Sequence, residues 1–122
     1  YTVVQYHMSK NYTAQSRFLY TVVQYHMSKN YTAQSRFEKN LAHAFTKIDS
    51  TQDSLNFLRD LLTLAEFTEL SNRFEIARLL NEGKLSYVQI AEKIDTSTAT
   101  VTRVAFWLKN GCGGYKKVMK KG

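Results

Sequence analysis

The residues best suited to surface chemistry fall in one short run: Ser97, Thr98, Ala99, Thr100, Thr102 and Arg103, with Lys109 close behind. Short hydroxyl- and methyl-bearing side chains at the start of a helix suit the edges of base pairs in a major groove, where bulk blocks approach. Arginine and lysine beside them suit phosphate. Gln89, upstream, offers an amide for a phosphate or a base edge. Covalent chemistry has no comparable signal. There is no nucleophile beside a base and no glycine-rich phosphate cradle. His7, His26 and His43 lack metal-ligand spacing, and Cys112 is the single cysteine. No enzyme, metal or cofactor is expected.

Positioning those residues requires two helices and a tight corner, and residues 86–109 supply the pattern. Ser86 with Gln89 forms a capping box for the first helix. Val88, Ile90, Ala91 and Ile94 give it an apolar face. Asp95-Thr96-Ser97 is a corner of residues that hydrogen-bond their own backbone. Ser97 caps the second helix, whose inward positions are Val101, Val104 and Leu108. Ala91 is small where the two helices must cross closely. Glycine is commonest at such a corner, and Asp95 is one of the residues that tolerate the left-handed backbone it needs. The pattern predicts a helix-turn-helix.

The rest of the chain reads as helices that carry this hairpin. It has 122 residues, no proline, 43% hydrophobic residues and a net charge of +7. Apolar residues recur at helical spacing, so an all-α fold is expected. The charge favours a polyanionic partner. No run is apolar enough to span a membrane, and nothing resembles a secretory signal. A cytoplasmic protein is expected.

Residues 1–18 recur unchanged as residues 20–37, separated by Leu19. Natural repeats diverge, and this unit is too short and polar to stack as a solenoid. A cloning duplication is the expectation, at least to residue 26. His26-Met27 reads as a junction before a start codon, with the native protein beginning at Met27. The alternative is a basic phosphate-tracking arm, since residues 1–37 hold Lys10, Arg17, Lys29 and Arg36 and no acid.

Residues 38–122 then form the expected helical dimerisation and helix-turn-helix domain. Leu41, Ala44, Phe45 and Ile48 face one way on a first helix. Ser50 with Asp53 caps a second, striped by Leu55, Leu58, Leu61 and Leu62. Thr63 with Glu66 opens a longer third, carrying Leu64, Phe67, Leu70, Phe74, Ala77 and Leu80, which Gly83 ends. After the hairpin, Tyr115, Val118 and Met119 mark a short last helix among lysines. Phe45, Phe57, Phe67, Phe74 and Trp107 need more cover than one small monomer supplies. A twofold homodimer is the expectation, with its two reading helices about 34 Å apart to meet successive major grooves.

The run ELSNRFEIARLLNEGKLSYVQIAEKIDTSTATVTRV, residues 69–104, resembles the Trp repressor superfamily and within it the YerC/YecD-type Trp-repressor-like branch. The likeness covers about residues 40–120. It implies a six-helix, intertwined dimeric DNA-binding protein. It also raises a co-repressor question. In the Trp repressor, a threonine opening the third helix, an arginine within it and an arginine-glycine pair in the recognition helix hold L-tryptophan. The matching positions are Thr63, Arg73, Arg103 and Val104. Valine replaces the glycine where the indole ring must lie, so L-tryptophan is not expected to bind. Arg73 has an alternative partner in Glu69 or Glu66 on its own helix.

The expected function is therefore sequence-specific regulation of transcription, with double-stranded DNA as partner and repression as the outcome. The competing reading is a helical protein-interaction or dimerisation module that does not read DNA.

Overall fold

The computed structural model describes residues 30–120; the duplicated arm as far as Lys29 lies outside them. Six helices follow in order: α1 (Arg36–Phe45), α2 (Thr51–Leu61), α3 (Leu64–Glu82), α4 (Tyr87–Ile94), α5 (Thr98–Asn110) and α6 (Gly114–Met119). There is no strand among the described residues. The all-α, six-helix expectation is met.

The boundaries are set by local chemistry at nearly every end. Ser50 Oγ accepts the Asp53 amide, and Ser97 Oγ accepts the Thr100 amide. Thr63 with Glu66 and Ser86 with Gln89 close both halves of a capping box. Gly83 ends α3 at φ 73°, the left-handed conformation in which a side chain is costly. Two boundaries differ from the periodicity. α1 begins two residues before Glu38, because Ser35 accepts the Glu38 amide and caps it inside the repeated segment. α1 also stops at Phe45, leaving Ile48 beyond the helix whose face it was expected to share.

The core is small and lies at one end. Ile76, Ala77 and Leu79 of α3, Ile90 and Ala91 of α4, and Val101 and Val104 of α5 are buried together, with Leu80, Leu85, Ile94 and Tyr115 packed around them. Ile76, Ile90 and Val101 are the largest side chains fully withdrawn from water. Leu108 is only half-buried, and Val88, expected on the inner face of α4, is exposed. α3 changes character along its length. Its second half enters the core through Ile76 and Leu79, whereas Leu64, Leu70 and Phe74 stay open. α1 and α2 bury no residue completely; Phe45 and Phe57 meet edge-on at 5.3 Å between ring centres.

The corner between α4 and α5 decides how the hairpin crosses. Asp95 sits at φ 61°, ψ 57° and is the one non-glycine residue with positive φ among the described residues. The Thr96 amide reaches back to the Ala91 carbonyl at 2.9 Å, closing the end of α4 in a Schellman-type turn. A side chain in this left-handed conformation carries a strain that glycine avoids, so Asp95→Gly is expected to stabilise the fold by about 0.5–1 kcal/mol. Thermal unfolding checks this, with a rise of a few degrees for a domain of this size.

Acid should act on the body of α3. Hydrogen bonds from the Thr63 amide and hydroxyl hold the Glu66 carboxyl below its usual range, and Arg78 does the same for Glu75. A carboxyl whose folded pKa is lowered stabilises the fold above the unfolded value and loses that contribution as pH falls through the folded one. The melting temperature should therefore hold from neutral pH to about 5 and decline below about pH 4.

Candidate nucleic-acid interface

The start of α5 is presented outward on a rigid base. Val101 and Val104 on its inner side are buried, at 0% and 2% exposure, which fixes the rotation of the helix about its axis. Thr98, Ala99, Thr102 and Arg103 are consequently exposed, as is Lys109 two turns on. The Thr98 and Ala99 amides lie in the first turn of α5, where no intrahelical acceptor exists, so they remain available to an anion. Arg103 and Lys109 form no ion pair among the described residues.

Three expected site residues have additional duties. Ser97 is exposed, but its hydroxyl caps α5 and lies 3.0 Å from the Thr100 hydroxyl. Thr100 is half-buried and is turned toward a cleft as much as toward solvent. Gln89 is exposed, yet its Oε1 accepts the Ser86 amide at 2.8 Å, so only the side-chain NH2 is left for an outside partner. The outward tip thus centres on Thr98, Ala99 and Thr102.

The cleft, of about 470 Å³, runs between α3 and α5. Arg73, Arg103 and Val104 all line it, as the family resemblance implies, together with Asn72, Trp107 and Tyr115. Helical spacing alone did not place Tyr115 there; its register with Val118 and Met119 marked only an apolar face. Thr63 is elsewhere. It caps α3 ten residues before Arg73, about 15 Å along the helix axis. Arg73 is engaged by Glu69 at 2.7 Å, the neighbour one turn away, while Glu66 is used by the Thr63 cap. The floor is closed by Val104, whose side chain belongs to the core.

Similarity to known proteins covers this whole region. A family model described as the Trp repressor protein matches residues 38–122. The uncharacterised YerC protein of Bacillus subtilis is 35% identical over 86 residues, spanning 68% of this chain and 82% of YerC. A Trp operon repressor homolog of Chlamydia trachomatis is 34% identical over 82 residues, spanning 64% of this chain and 87% of the homolog. Among solved structures, a TrpR-like protein from Eubacterium eligens aligns with a TM-score of 0.65 at 33% identity, over 73% of this chain and 96% of that one.

Replacing the cleft floor is expected to cost stability in proportion to the cavity it leaves. Val104→Gly removes a buried isopropyl group from mid-helix, at about 2–3 kcal/mol in urea unfolding. With Val104 in place, millimolar L-tryptophan is expected to leave the melting temperature unchanged; a rise of several degrees would mean that the floor yields to the indole.

Proposed function

The chain belongs to the Trp repressor family, a family of regulators, and on that premise we propose that it is a sequence-specific DNA-binding protein that represses transcription as a homodimer in the cytoplasm. The observation that carries this reading is the threonine-tipped start of α5, exposed at Thr98, Ala99 and Thr102 while Val101 and Val104 lock the opposite side into the core. A helix fixed in this way can enter a groove without first paying for ordering.

Thr98, Ala99 and Thr102 then meet base edges, thymine methyls included, with Thr100 and Ser97 at the margin. Arg103 and Lys109 contact phosphates, the open amides of α5 add to them, and Gln89 approaches the backbone from α4. Water fills the gaps that short side chains leave.

The homodimer is supported by the open apolar face of the N-terminal helices. Phe37 is 84% exposed and Leu64 64%, with Leu41, Phe45, Leu55 and Leu61 also open. So many large apolar side chains left open on three neighbouring helices in sequence favour cover by a second copy. A twofold partner covering that face sets the two α5 helices at one fixed separation, suited to a roughly palindromic site. Arg73 and Arg103 line a ligand-sized cleft, yet the Glu69 pair and the Val104 floor favour DNA binding without L-tryptophan.

Selection of bound duplexes from random-sequence DNA, with and without L-tryptophan, tests the reading. A shared, roughly twofold-symmetric motif is expected in both arms. Binding that is indifferent to salt between 50 and 200 mM would point instead to a protein-interaction module, because phosphate-based binding falls by about 10³-fold over that range. Thr98→Ala with Thr102→Ala is expected to cut the preference for the selected site by about tenfold. Lys109→Ala should weaken every duplex alike.

A further inference from the structure

The lysines of α6 have no part in that reading, and their placement gives them one. Lys116, Lys117 and Lys120 are all exposed, and none has an ion pair among the described residues. From Thr98 to Lys120 the chain holds five cations and not one carboxylate. From Arg36 to Glu82, by contrast, eight acids outnumber six cations. The positive field is thus concentrated on the reading hairpin and the helix that follows it.

α6 is also anchored rather than trailing. Tyr115 stacks on Phe74 of α3 with ring centres 6.4 Å apart, and it lines the same cleft as Thr96, Thr100 and Arg103. Tyr115 and Met119, one turn apart, are half-buried, which leaves Lys116 and Lys117 on the outer side of the helix, and Lys120 just past its end is exposed as well. Through Tyr115, α6 borders the cleft that Arg103 of α5 also lines. A six-residue helix covers about 9 Å of axis, and each DNA strand carries a phosphate every 3.4 Å or so. Lys116 and Lys117 on this short helix, with Lys120 in extended backbone just past its end, can match two successive phosphates or a third beside them.

We propose that α6 is a second DNA-binding element, a lysine grip on the phosphate backbone flanking the groove that α5 enters. The proposal rests on the DNA-binding reading above and adds to it where the affinity comes from. α5 supplies discrimination, and α6 supplies strength common to every sequence.

The test is a fluorescence-anisotropy titration of the full chain on its selected duplex and on a scrambled one, from 50 to 300 mM salt. Lys116→Gln, Lys117→Gln and Lys120→Gln combined should flatten the slope of log K against log salt by about 0.9 for each phosphate no longer neutralised. Near physiological salt both duplexes should weaken together by about 10³-fold or more, since each copy in the dimer loses its grip, with their ratio preserved. The corresponding triple arginine variant should keep the slope of the unaltered chain. Lys39→Gln with Lys47→Gln, at the other end of the domain's sequence, should change it little. The proposal is overturned if the triple glutamine variant keeps slope and affinity, or if the substitutions at Lys39 and Lys47 cost as much per charge. If the unaltered chain binds no duplex, the DNA reading itself falls; if it binds and only the α6 variant is silent, this proposal alone falls. Thermal unfolding of each variant accompanies the titration and is expected to be unchanged, since all three lysines are exposed.

Discussion

Three side chains from three helices, Ile76, Ile90 and Val101, meet where no water reaches, and the rest of the domain takes its geometry from that meeting. Each contributes about 1.5–3 kcal/mol by leaving water, but position matters as much as magnitude. Ala77 and Ala91 beside them are small enough for the helices to cross closely. The left-handed backbone at Asp95 then fixes the direction in which α5 departs. With Val104 added on the same face, α5 can neither roll nor tilt without opening a cavity, and close-packed interiors resist that. The proposed groove contact needs this, because a small rotation would withdraw the outward threonines from a groove edge.

The two ends of the molecule have different needs. The hairpin end satisfies itself, with seven buried apolar residues and caps that hold each helix start. The α1–α2 end does not, because neither helix hides a single residue completely. The charge is divided along the same line, with cations gathered after Gly83 and acids dominating from Arg36 to Glu82. An apolar, mildly acidic face suits a second copy of the chain, and a cationic face suits a polyanion. The proposed twofold assembly uses both without asking either to do the other's work.

The cleft between α3 and α5 is shaped by the side chain at its floor. Arg73 and Arg103 stand along its walls as family resemblance implies. A branched side chain at 104 fills the floor and joins the core, and Glu69 neutralises one of the two arginines.

Helices and their ends are legible in the chain alone, since caps and turns act between residues three to five apart and need no distant partner. Thr63 with Glu66, Ser86 with Gln89, Ser97, Gly83 and Asp95 all act in this local way. The outward tip at Thr98, Ala99 and Thr102 is legible for the same reason: helical spacing opposite Val101 and Val104 settles which way it faces. Which apolar stripe becomes core is a matter of folding as a whole. Ile76 and Leu79 carry α3 into it, although Phe67, Leu70 and Phe74 make an equally good stripe by period, and Val88 lies outside it despite its type. Periodicity marks every apolar face, but burial depends on which neighbours arrive to cover it. The same holds for the cleft, where Tyr115 joins Arg73 and Arg103 from 42 and 12 residues away along the chain. No local rule brings such distant positions together; the packing of α6 on α3 does.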